Sequence, residues 1–333
     1  MNIESSSFYP ILCICMILLC LPNNSASERC NNNDKQVLLG IKEAFKNPHL
    51  LASWVPSEDC CDWYLVKCGE TNNRIVSLTI QDDDNLTGQI PPQVGGLPYL
   101  ETLWFYKLPN LYGAIPEQIS ALTSLKSVRL SWTNLSGPVP IFFAQLTNLT
   151  YLDLSSNKLN GVIPSQLSTL KNLSALHLDR NHLTGEIPAA YGNISGSPDI
   201  YLSHNHLTGF VPQTFASSDP IRIDLSWNSL EGDISFFFGT KKRLETADFS
   251  RNTFSFNFSK VQQFPPSLIY LDLNHNQISG NLSTALAKLQ LQTFNVSNNK
   301  LCGMIPAEGN LERFGNTAYL NNTCLCGAPL PKC

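Results

Sequence analysis

A glycine returns every 23 to 25 residues along most of this chain: Gly88, Gly113, Gly137, Gly161, Gly185, Gly209, Gly232, Gly280 and Gly303, with Phe256 in the one register that lacks it. A unit of that length cannot bury its own apolar face, so successive copies must stack and share one continuous core. The 333 residues, which by size alone suggest two globular domains, are therefore read as a single solenoid.

Most copies carry Leu-x-Leu-x-x-Asn-x-Leu-x-Gly-x-Ile-Pro around the glycine. That string marks a leucine-rich repeat and predicts an α/β solenoid, a right-handed superhelix of about ten 24-residue repeats with a parallel concave β-sheet. The inward strand pairs are Leu78/Ile80, Leu103/Phe105, Val128/Leu130, Leu152/Leu154, Leu176/Leu178, Ile200/Leu202, Ile223/Leu225, Ala247/Phe249, Leu271/Leu273 and Phe294/Val296. Asn157, Asn181, Asn205, Asn228, Asn252, Asn276 and Asn299 form a column just after them, where a side-chain amide can satisfy the turning backbone of adjacent coils. Asp83, Leu108 and Thr133 stand there in the first three repeats, so the stack is expected to bend differently at that end. Each Gly-x-Ile-Pro is read as a tight, extended turn towards the convex side.

The ends of the stack need covers. Ile11 to Leu21 is apolar but too short to span a bilayer, and Ser25-Ala26-Ser27 offers a small-residue cleavage pattern, so residues 1–27 are read as a signal peptide with no later membrane anchor. Cys13, Cys15 and Cys20 leave with it. The remaining cysteines form two clusters that bracket the repeats (74–301): Cys30, Cys60, Cys61 and Cys68 in an N-terminal cap (28–73), and Cys302, Cys324, Cys326 and Cys333 in a C-terminal cap (302–333). Outside the cell such clusters become disulfides, and the rival zinc reading lacks the usual ligand spacing. Each cluster allows three pairings; Cys30–Cys60, Cys61–Cys68, Cys302–Cys324 and Cys326–Cys333 are preferred. In the first cap, Asn33-Asp34-Lys35-Gln36 reads as a helix start, followed by helical apolar spacing and ended by Pro48.

Function is expected on the outward positions of the concave sheet. Between the inward pairs lie Trp104, Arg129, Asp153, His177, Tyr201, Asp224, Asp248 and Asp272, with Trp132 and Trp227 further along; aromatic residues beside charges dominate binding hot spots. These, without Trp132, form the candidate protein-binding set. A second outward column, Ser131, Ser155, Ser203, Ser226, Ser250, Asn274 and Ser297, is a regular polar array and the candidate ice-binding set. No enzymatic motif, cofactor or metal site is read, and an open sheet is expected to offer no dry pocket for shifting carboxylate pKa values. Loss of Glu4 with the signal takes the formal charge from −4 to −3, which argues against nucleic acid as a partner. Asn85, Asn134, Asn148, Asn172, Asn193, Asn257, Asn281, Asn295 and Asn321 head glycosylation sequons.

Several strings are more specific than the repeat. VGGLPYLETLWF (Val94 to Phe105), LSWTNLSGPVP (Leu130 to Pro140), DIYLSHNHLTG (Asp199 to Gly209), LDLNHNQISG (Leu271 to Gly280) and CLCGAPLPKC (Cys324 to Cys333) resemble the plant polygalacturonase-inhibiting proteins across the whole mature chain. With GDISFFFG (Gly232 to Gly239) and FNFSKVQQFPPSL (Phe256 to Leu268), the chain is more similar still to an antifreeze offshoot of that family. The resemblance implies a secreted monomer of the plant cell wall that blocks a fungal or insect polygalacturonase with its concave face, pectin being a further candidate partner. The offshoot implies adsorption to ice by a repeated polar array.

Overall fold

The computed structural model describes residues 29–333 apart from 195–197 and 310, so the expected signal segment lies outside the described residues. Ten parallel strands stand side by side in chain order: Ile75–Gln81, Thr102–Tyr106, Ser127–Ser131, Tyr151–Asp153, Ala175–His177, Asp199–Tyr201, Arg222–Asp224, Thr246–Asp248, Tyr270–Asp272 and Thr293–Asn295. Equivalent residues face one another throughout, Leu78 against Leu103, Leu103 against Val128, and so on to Leu271 against Phe294. All the expected inward residues are buried, and each large one withdraws apolar surface worth roughly 1.5–3 kcal/mol.

The asparagine column is the polar half of that core. Asn205 donates to the carbonyls of Leu178, Leu202 and Ser203 and accepts from the Leu183 amide, tying its own coil to the one before. Its equivalents repeat the pattern, and the column runs one coil further than the sequence reading placed it, to Asn322. At the other end Thr133 pairs through its hydroxyl with Asn157, and the Asp83 carboxylate accepts from the Leu86 amide at 2.8 Å.

A second sheet was not foreseen. Among the described residues seven short strands, from Tyr112–Gly113 to Thr253–Phe254, run along the flank where turns were expected, all but the last ending at or next to a repeat glycine. Gly232 has φ +87°, and a Cβ there would come within 2.4 Å of the Phe210 ring. Phe256 cannot take that conformation cheaply, and just past the Thr253–Phe254 strand the sheet is interrupted. Gly232→Ala is expected to cost about 1–3 kcal/mol, read as a lower urea midpoint at unchanged slope.

Both ends are covered. Val66–Cys68 pairs antiparallel with Ile75–Gln81, closing one edge, while the Ala318 and Leu320 carbonyls accept from Val296 and Asn298 at the other. The first helix, Asn32–Ala44, starts earlier than the sequence suggested, because the Asn31 side chain accepts from the Asn33 and Asp34 amides. Asp34 is thereby free to grip Arg74 and the Ile75 amide, docking the helix on the first coil. The helix also ends earlier, at Ala44, ahead of Lys46 and Asn47 in the left-handed region and of Pro48. The disulfides are Cys30–Cys60, Cys61–Cys68, Cys302–Cys324 and Cys326–Cys333, and sulfurs so bonded are not thiolate ligands for zinc.

Candidate protein-binding face

Towards the N-terminal half of the concave sheet, aromatic and charged side chains from successive strands interlock. The Trp104 indole donates to the Ser127 hydroxyl at 2.8 Å and meets the Tyr106 ring edge-on. Arg129 lies over that tyrosine at 4.0 Å and pairs with Asp153 at 3.1 Å, and Tyr151 donates to the same carboxylate at 3.3 Å. His177 sits between the Tyr151 and Tyr201 rings, 5.5 and 4.5 Å away. Burial holds the His177 imidazole below its ordinary pKa, and burial with the Asp153 charge pushes the Tyr151 phenol up to about 12. The structure thus brings Trp104, Arg129, Asp153, His177 and Tyr201 into one patch.

Asp153 departs from expectation, being 2% exposed with its carboxylate already engaged. The serine column departs further. Ser131, Ser155, Ser203, Ser226, Ser250, Asn274 and Ser297 are all buried. The reason is local: the hydroxyls of Ser155, Ser226 and Ser250 donate to the aspartate two residues earlier, at 2.6, 2.7 and 2.7 Å, while Ser131 lies under Arg129. A regular array of free hydroxyls is therefore not what this column presents.

Asp224, Asp248 and Asp272 stand in adjacent strands and are half-buried. Contrary to the expectation for an open sheet, carboxylates here are strongly perturbed. Desolvation with neighbouring negative charge raises Asp179 to about 7 and Asp272 to about 6, and pushes Asp248 up as well.

Residues 31–69 match the leucine rich repeat N-terminal domain model and residues 122–183 a leucine rich repeat model. A polygalacturonase inhibitor of Vitis vinifera is 59% identical over 96% of this chain and 95% of its own length, and polygalacturonase inhibitor 1 of Arabidopsis thaliana is 58% identical over 97% and 98%. The chain belongs to the polygalacturonase inhibitor family. A crystal structure described as a plant ice-binding protein is similar too, with 73% identity, a TM-score of 0.91, and coverage of 92% of this chain and 98% of that one.

In this family member the residues just after the serine column share a backbone conformation that the sequence did not mark. Asp82, Lys107, Trp132, Ser156, Arg180, His204, Trp227, Arg251, His275 and Asn298 all have φ between 52 and 57°. This left-handed step turns the chain out of the sheet and leaves Trp132 55% and Trp227 48% exposed along its rim. Trp227 is sandwiched between the His204 ring at 5.1 Å and the Arg251 guanidinium at 4.2 Å, away from the Trp104 patch with which it had been grouped. The available signal was the fixed place one residue before the ladder asparagine. Of the sequons, Asn85, Asn148, Asn172, Asn193, Asn257, Asn281 and Asn321 are exposed, whereas Asn134 and Asn295 are half-buried, Asn295 accepting from the Ser297 amide within its strand.

Proposed function

We propose that this protein is a secreted, non-catalytic inhibitor that binds a fungal or insect polygalacturonase through the concave face and blocks its cleft. The observation that carries this reading is the interlocked patch of Trp104, Tyr106, Arg129, Asp153, Tyr151, His177 and Tyr201. Side chains held in place before association lose little rotamer freedom on binding, and rigid aromatics are efficient anchors. The signal segment and paired cysteines support an extracellular setting. The domain reading stands with it: signal 1–27, caps at 28–73 and 302–333, repeats at 74–301.

The test is an inhibition titration against a panel of endo-polygalacturonases. Native protein is expected to inhibit at least one of them, and Trp104→Ala to lose about 2 kcal/mol of affinity, roughly a 30-fold rise in inhibition constant. A panel untouched at micromolar protein defeats the proposal.

The ice-binding relative motivates a second reading, adsorption to ice. The covered serine column does not supply the contacts, so such an activity draws on other residues. Thermal hysteresis measured on the same sample decides it.

A further inference from the structure

Away from the concave face, the flanking sheet sets two imidazoles side by side. The place three residues before the repeat glycine holds Asn134, Lys158, His182, His206 and Ser229 in successive coils. In the strands His182–Gly185 and His206–Phe210 the next residues, Leu183 and Leu207, are buried in the core, so alternation turns both histidines out to solvent. These strands are neighbours in the flanking sheet, and the two rings lie parallel to within 7°, their centroids 5.9 Å apart. Among the described residues neither ring makes a hydrogen bond or an ion pair, so their nitrogens remain available.

That spacing has a chemical meaning. An imidazole nitrogen binds Zn²⁺ at about 2.0–2.1 Å, so two imidazoles on one ion, at angles from about 90° to 180°, put their ring centres about 4.5–6.4 Å apart. The observed 5.9 Å lies inside that window, and the broad χ2 of an exposed histidine lets the nitrogens converge. Both rings border an open cavity of about 440 Å³ lined also by His204 and Trp227, which leaves room for the water that completes a coordination shell. Arg251 lines it too, its guanidinium held over the Trp227 ring, and no carboxylate does. A hard cation such as Ca²⁺ or Mg²⁺ finds none of the oxygen ligands it requires there, whereas an imidazole pair suits Zn²⁺ and Cu²⁺.

We infer that His182 and His206 form a surface site for a divalent transition-metal ion, Zn²⁺ or Cu²⁺, held between adjacent coils. No short motif announces it, because the two ligands lie a whole repeat apart. The cysteines that cluster at ligand distance among the described residues, Cys30, Cys61 and Cys68, are spent in disulfides and do not compete. The site is independent of the inhibitory reading above, since the Trp104 patch belongs to the other sheet. Its affinity is modest. Neither ring passes its second N–H to a carboxylate or carbonyl, a support worth about 10–100-fold, so a dissociation constant on the order of 10–100 µM is expected.

Calorimetric titration of the untagged protein with Zn²⁺ tests this, beside His182→Asn and His206→Ser, which write residues the column already carries at Asn134 and Ser229. The native protein is expected to take up one ion, and each variant to bind at least about 10-fold more weakly while melting like the native protein in the absence of metal. Zn²⁺ is expected to raise the native melting temperature and to leave both variants where they were, because it binds only the folded pair; Ca²⁺ and Mg²⁺ move none of them. Absence of Zn²⁺ binding to the native protein at about 1 mM overturns the inference. So does native affinity in either variant, which assigns the ion to other groups or to one histidine acting alone.

Discussion

Asn205→Ala is expected to lower the unfolding free energy by about 3–5 kcal/mol, several times the effect of an ordinary surface change. The native side chain makes four hydrogen bonds inside the stack, three as donor to the Leu178, Leu202 and Ser203 carbonyls and one as acceptor from the Leu183 amide. Alanine removes all of them and reaches none of the stranded backbone groups, which are buried away from water; each buried polar group so orphaned costs about 1–3 kcal/mol. Two of the four bonds cross to the preceding coil, so the loss falls on a nearest-neighbour interface as well as on the coil itself. Asn322→Ala, at the half-buried end of the ladder, provides the contrast and is expected to cost less than half as much. Urea denaturation of both variants checks it. A loss below about 1 kcal/mol at Asn205 means that the ladder fills space rather than holding coils together.

What could be read in the sequence and what could not divides along physical lines. The glycine period, the inward pairs and the cysteine clusters were legible because each is a constraint that every coil or every cap must meet in the same way. Phe256 was legible as an exception for the same reason. The serine column was misread because alternation alone puts Ser155 or Ser226 on the outer face of the strand, and the short-range Asp-x-Ser bond that folds the hydroxyl inward is invisible to a two-residue period. That bond joins residues two apart, so the signal was present in the chain. The left-handed rim was not marked by glycine or by any fixed residue type, since Lys107, Trp132, His204 and Arg251 share nothing but the place they hold. The carboxylate perturbations were beyond sequence altogether, because they arise from charges on neighbouring coils and from burial among them.

Those perturbed carboxylates lead to the second large effect, a loss of stability from acid to alkaline pH. Asp179, at about 7, and Asp272, at about 6, are raised in the folded protein above an unfolded value of 3.8, in both cases first by desolvation. Asp248 is raised for the same reason. A raised acid favours the protonated form on folding, so its contribution is fully present below the unfolded pKa and is lost as pH rises through the folded one. For these groups the decline therefore runs from about pH 4 to about pH 7 and is complete by about pH 8, with Asp179 alone supplying on the order of 2–4 kcal/mol. His177 works the other way. Its imidazole is held neutral by burial, so its contribution is present above the unfolded value of 6.5 and is lost as pH falls below that and through the lower folded value, which flattens the acid side of the profile. The melting temperature is expected to be higher near about pH 5 than near about pH 8, and Asp179→Asn, which keeps the shape but cannot ionise, is expected to recover much of the alkaline loss. Calorimetric scans of both proteins across that range provide the measurement. A native melting temperature that is flat or rises towards alkaline pH, or a variant that declines as steeply as the native protein, would show that water reaches the concave face freely enough to leave Asp179 an ordinary carboxylate.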